Sequence, residues 1–198
     1  MKKLLLVLIL ISFSSCSSQK TKLNGLKTCL KKEDITILEK GLADFESRLG
    51  NKYNGMDKEE SYIQFLSEFI NNDISSAFFL NPEMESTRKK IKELGIWTMT
   101  VVSDEGMEAE IRLDGLEPEK SVGILTLTNE FQNCLIDKVS NDGIKNFLAV
   151  RTKVPNLSSG LTAKYILDGI DEKDLKDETN RLVIALGIYY EFSLNLEK

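Results

Sequence analysis

Histidine is absent from the 198 residues, which removes every catalytic system and zinc site that depends on imidazole. The residues still able to do chemistry form a short set. They are the cysteines Cys16, Cys29 and Cys134, an acidic run from Asp168 through Asp171, Glu172, Asp174 and Asp177 to Glu178, the carboxylates Glu108 and Glu110, and the tetrad Ser86-Thr87-Arg88-Lys89. No C-x-x-C spacing occurs, so neither a dithiol redox centre nor a thiol protease is indicated. Asp171, Asp174 and Glu178 would share one face of a helix and could hold a hard cation such as Ca²⁺. Their spacing lacks the paired ligands and central glycine of an EF-hand loop. The simpler expectation is a helix start, with Asp171 as the cap, the other acids at the positive dipole end and no metal.

The remaining motifs are weaker. Ser86-x-x-Lys89 has the serine–lysine spacing of penicillin-binding enzymes, but the S-D-N and K-T-G partners are missing. Glu108 and Glu110 stand on what an alternating strand makes its wet side, so a carboxylate-dependent hydrolase is a distant alternative. No glycine-rich phosphate loop is present. The expectation is no catalytic residue and no cofactor.

Cys16 has a different setting. Met1-Lys2-Lys3 is basic, Leu4 to Ile11 is continuously apolar, and Ser12-Phe13-Ser14-Ser15-Cys16 follows. This order describes a secretory signal, and the apolar run falls short of the roughly 20 residues that span a bilayer. Phe13-Ser14-Ser15-Cys16 resembles the lipobox of bacterial lipoproteins. The resemblance implies cleavage before Cys16, a diacylglyceryl thioether on its sulfur and a cell-envelope location. The same residues would also serve a plain secretory signal cut after Ser14. Through Cys29, Cys134-Leu135 and Tyr189-Tyr190 the rest of the chain is loosely similar to uncharacterised helical lipoproteins of Bacteroidota, a likeness that implies no activity. In that group, proteins exported to the cell surface often carry acids just after the cysteine. Ser17-Ser18-Gln19-Lys20 has none, which points to the outer membrane's periplasmic face.

Charge divides the chain in two. Residues 17–32 hold five lysines and no acid, whereas the sequence from Glu33 onward holds 19 basic residues against 31 acidic ones, a net −12. A basic stalk gains attraction at an anionic bilayer while the acidic body is pushed off it, or the lysines simply keep a linker soluble. The acidic body argues against nucleic acid as a partner.

The elements that must carry these residues are mostly helical. Ile35, Leu38, Leu42, Phe45 and Leu49 recur at three and four, with Asp34 as cap and Gly50 as stop. Asp57 to Glu60 is spaced as a capping box ahead of Tyr62, Phe65, Leu66 and Phe69. Asn81-Pro82 opens a further helix whose exposed face is Arg88-Lys89-Lys90. Alternation at Met107, Ala109, Ile111 and Leu113, after the β-branched stretch from Ile96 to Val102, predicts a hairpin over 96–113. The stretch around Ile124 to Leu135 reads as a helix opened near Pro118, or as a strand in its first half. Short helices follow at Ile144–Leu148 and Leu161–Ile170. A last helix is expected from near Asp171 to Leu194, apolar nearly all round from Leu182 to Tyr190 and so central.

The fold class predicted is mainly α, an irregular bundle of six to seven helices with that hairpin, or alternatively α+β. Its organisation is a signal peptide over 1–15, a lipidated cysteine and basic tether over 16–32, and one helical domain over 33–198. In an oxidising compartment Cys29 and Cys134 either form a disulfide or remain two buried thiols. Phe78, Phe79 and Trp97 are core residues or, if exposed together, a partner surface. The functional expectation is a membrane-anchored envelope protein that works by binding another envelope protein. A carrier of a small apolar ligand is the alternative.

Overall fold

The computed structural model describes residues 23–102, 122–154 and 157–197, and the side chains of 101, 102 and 122 are outside that description. The fold is mainly helical with a small antiparallel sheet. A 3-10 turn, Asn24–Thr28, precedes α1 (Lys32–Lys52) and α2 (Lys58–Ile70). α3 (Ser76–Phe79) and α4 (Glu85–Lys92) follow, with a 3-10 turn at Pro82–Met84 between them. The strands β1 (Trp97–Val102) and β2 (Val122–Leu127) come next. Then come α5 (Asn129–Ile136), α6 (Asp142–Arg151) and α7 (Ser159–Asp168). The chain ends in a rod in which α8 (Glu178–Ile184), a π-helical stretch (Ala185–Tyr190) and α9 (Glu191–Leu196) run on without a break.

Local chemistry sets most boundaries. Asp57 and Glu60 make the reciprocal capping box: the Glu60 amide donates to Asp57 Oδ1 at 2.8 Å and the Asp57 amide to Glu60 Oε2 at 3.3 Å. Asn81 caps the turn opened by Pro82, and Asn141 caps α6. α1 begins at Lys32, so Asp34 lies inside its first turn and favours the positive dipole end rather than capping. The same helix continues through Gly50, and the left-handed glycine is Gly55, at φ 97°. The last helix starts at Glu178 with Asp177 as its cap. Asp171 instead closes its own turn, its Oδ1 accepting from the amides of Lys173 and Asp174. A 3-10 turn at Asp174–Lys176 separates the two, so Asp171, Asp174 and Glu178 do not share a helical face.

β1 pairs with β2 in the register Trp97↔Leu127 and Met99↔Leu125. Strand character at 97–102 and in the first half of 122–135 agrees with the β-branched content of both stretches. The alternating segment 107–113 lies outside the described residues, as do Glu108, Glu110 and Pro118. A two-stranded ribbon is marginal alone and has to be fastened to something. Here Asn195 of α9 does it: its Oδ1 accepts from the Leu125 amide at 2.9 Å, and its Nδ2 donates to the Leu125 carbonyl at 2.9 Å. The side-chain amide thus pairs with β2 as another strand would. On β1, the Trp97 indole N–H donates to the Ile91 carbonyl at 2.7 Å.

The rod is the centre of the fold. Every residue from Leu182 to Tyr190 is buried, as its unbroken apolar run requires. Tyr189 stacks on Phe45 and Phe79, and Phe192 meets Phe69 and Phe79 edge-on. The contacts continue through Phe65 and Phe78, giving one aromatic core that joins α1, α2, α3 and the rod. Each such ring pair adds about 0.5–1.5 kcal/mol beyond area burial. Gly41 lets α1 close on α4 and the rod, because a Cβ there would collide with Ile91 Cδ1; the Tyr190 hydroxyl donates to the Gly41 carbonyl at 2.9 Å. No helix of the described residues is long and apolar enough to cross a membrane.

Candidate functional site

Cys16 lies outside the described residues. Cys29 and Cys134 are joined in a disulfide with Cα atoms 6.3 Å apart, within the ordinary span for such a bond. It ties the N-terminal turn to α5 across 105 residues. Leu23 and Leu26 are each 1% exposed, so part of the stretch that composition assigns to a tether belongs to the folded body.

Phe78 and Phe79 do not form a partner surface with Trp97. They are 7% and 1% exposed and sit in the aromatic core. The reason is Arg48, whose Nε donates to the Phe78 carbonyl at 2.6 Å and whose Nη2 donates to the Ala77 carbonyl at 2.9 Å. Its guanidinium also lies 4.8 Å from the Phe78 ring centroid. α3 is thereby clamped to α1 with its rings inward. Trp97 is half-buried on a separate element. Arg88, expected on the open face of α4, is also buried: Nε donates to Glu197 at 2.7 Å and Nη1 to the Asn81 carbonyl at 2.8 Å. Ser86 and Lys89 are exposed, and Lys89 lies on a surface lined by other charged side chains.

Several acids of the run have local partners. Asp174 accepts from the Asp171 amide, Asp177 caps α8, and Asp168 pairs with Lys164. Among the described residues no cluster of three or more acids or cysteines could hold a metal ion.

Two Arg–Glu pairs, one part-buried and one fully buried, flank the centre of the rod. At its start, the Arg181 Nε donates to Glu46 Oε1 at 2.7 Å, and its Nη1 donates to the carbonyls of Leu175 and Lys176. Glu46 also receives Lys58 and the Tyr62 hydroxyl. Burial draws the Arg181 guanidinium down, but Glu46 outweighs it and holds the group above its ordinary value. Burial and Glu46 together push Tyr62 far up.

The second pair is less complete. The Arg151 Nη2 donates to Glu191 Oε1 at 2.6 Å, and Nη1 reaches the Gly187 carbonyl of the π-helical stretch at 3.3 Å. Glu191 Oε2 is buried without a hydrogen-bond partner. Burial pushes this carboxyl up to about 7, against the lowering pull of Arg151. Periodicity marks the rod as central but gives no signal for either pair, because their partners lie 40 and 135 residues apart in sequence.

No family model, curated protein or solved structure matches the chain.

Phe69, Ile74, Phe79 and Phe192 floor an open cleft of about 200 Å³, bordered by Asn72, Ser159 and Gly160. It lies where the end of α2, the start of α7 and α9 meet. Asn72 takes a left-handed backbone at φ 59° to turn the chain there. A second hollow, of about 540 Å³, lies between α4 and the C-terminal end. Its lining is charged, with Glu85, Arg88, Lys89, Lys92, Glu93 and Glu197. Exposed apolar residues gather at the end of α6 and along α7: Val150, Val154, Leu161 and Tyr165. Leu161 and Tyr165 are four apart and so share one helical face.

Proposed function

We propose that the chain is a lipid-anchored protein of the bacterial cell envelope whose helical body works by binding a protein partner. The observation that carries the anchor is Cys16, which stands directly after the apolar run and the two small residues Ser14 and Ser15. Two or three acyl chains there make attachment stable, each buried CH₂ contributing about 0.8 kcal/mol.

The binding role follows from what the body offers. Small-molecule sites are clefts or cavities of about 300–1,000 Å³ that bury most of the ligand's surface. The aromatic-floored cleft is smaller and open, and the larger hollow is charged throughout. Neither supports a carrier of apolar ligands as well as the exposed Leu161–Tyr165 face of α7 and the adjoining cleft support a protein contact.

Metabolic labelling with a palmitate analogue tests the anchor. The wild type should take up label and Cys16→Ala should not; an unlabelled wild type, or label persisting in the variant, contradicts it. Photo-crosslinking from position 165 in intact envelopes tests the binding face. One defined adduct that disappears in Leu161→Asp supports the reading. Adducts unaffected by that substitution contradict it.

A further inference from the structure

The next step rests on the Cys16 anchor. Leu23 is the seventh residue after Cys16 and is buried in the body. An extended chain advances at most about 3.6 Å per residue, so the body begins within about 25 Å of the lipid-bearing sulfur. Leu23 and Leu26 fix this stretch to the core, and the Cys29–Cys134 disulfide fixes it to α5. Lys27, Lys31 and Lys32 are exposed on it and cannot swing away as they would on a free stalk. Lys138, at the end of α5, lies alongside: its Cδ is 3.7 Å from where a Cβ on Gly25 would stand. None of these four lysines forms an ion pair among the described residues. The nearest acids in sequence are Glu33 and Asp34, which lie in the first turn of α1 at the positive end of its dipole, and Asp137.

The geometry points to a second membrane contact: the face carrying Lys27, Lys31, Lys32 and Lys138 docks on the anionic headgroups of the leaflet that holds the acyl chains. The strongly acidic remainder is repelled by the same surface, so attraction and repulsion together orient the body. The anchor then sets distance and the lysines set which side faces the lipid.

The test uses the mature chain from residue 16 with Cys16→Ser, which carries no acyl group, so its outcome is independent of palmitate labelling. It is sedimented with phosphatidylglycerol-rich vesicles and with phosphatidylcholine vesicles at low salt. Binding is expected to the first alone and is expected to fall at high salt. Lys27→Gln, Lys31→Gln, Lys32→Gln and Lys138→Gln combined should lower the partition coefficient by several hundredfold, each lysine near the surface being worth roughly fivefold. A control set with the same charge change, Lys89→Gln, Lys90→Gln, Lys92→Gln and Lys153→Gln, should leave it within about twofold, with circular dichroism confirming that both variants fold. Equal losses from the two sets, or no binding of the parent chain, overturns the docking face.

Discussion

From Leu182 to Tyr190 every side chain of the C-terminal rod is buried, whereas between Leu23 and Lys32 only Leu23 and Leu26 are. The rod is held by apolar area, stacked rings and two Arg–Glu pairs. The N-terminal strap is held by two leucines and one covalent bond. Its free energy of local opening should therefore be small once that bond is cut, while the rod opens only when the whole domain unfolds. A chain built this way keeps its basic strap in place only in an oxidising compartment, which suits the envelope placement proposed for it.

The largest effect should come from the rod's side of this contrast. Phe79→Ala removes a ring that touches Phe69, Phe78, Tyr189 and Phe192. A loss of about 3–5 kcal/mol is expected in denaturant unfolding. A loss below about 1 kcal/mol would mean that Phe79 belongs to the surface after all.

Next comes the strap. Cys29→Ser with Cys134→Ser should cost about 2–4 kcal/mol, because the bond closes a loop of 105 residues in the unfolded chain. Hydrogen exchange should accelerate at residues 24–30 and stay unchanged relative to global unfolding at 182–190. Equal acceleration at both ends would erase the distinction between them.

The smallest effect is a pH dependence inside the rod. Glu191 has its folded value raised to about 7 by burial, above its ordinary 4.5. A carboxyl raised in the folded state contributes stability that is fully present below about 4.5 and is lost as pH rises through about 7. Stability should decline by at most about 3 kcal/mol across that window, and Glu191→Gln should flatten the decline. Arg181→Lys at the satisfied pair should leave the slope as it is. A slope that survives Glu191→Gln places its origin elsewhere.

The two ends also differ in how far their sequences disclose them. The rod was legible because an apolar run of that length with helical spacing has nowhere to go but the centre. Its start was not: Asp171 and Asp177 are both competent caps, and a 3-10 turn seating Leu175 in the core decides between them. The strap's lysines read as a solvated tether because composition does not register two leucines spaced to grip a core. Phe78 and Phe79 were ambiguous for a related reason. A short apolar trio between polar residues has no period, and the Arg48 clamp that turns it inward comes from 30 residues away. Cys16 remains the one functional signal carried by local order alone, since an apolar run, small residues and a cysteine need no folded partner to be read.

Detergent phase separation of the mature protein isolated from its host measures the anchor most directly. Partition into the detergent phase, moved to the aqueous phase by Cys16→Ala, is the result expected of a diacylated Cys16. Wild-type protein found in the aqueous phase with a titratable thiol at position 16 would contradict the tether and the membrane-facing strap that depends on it.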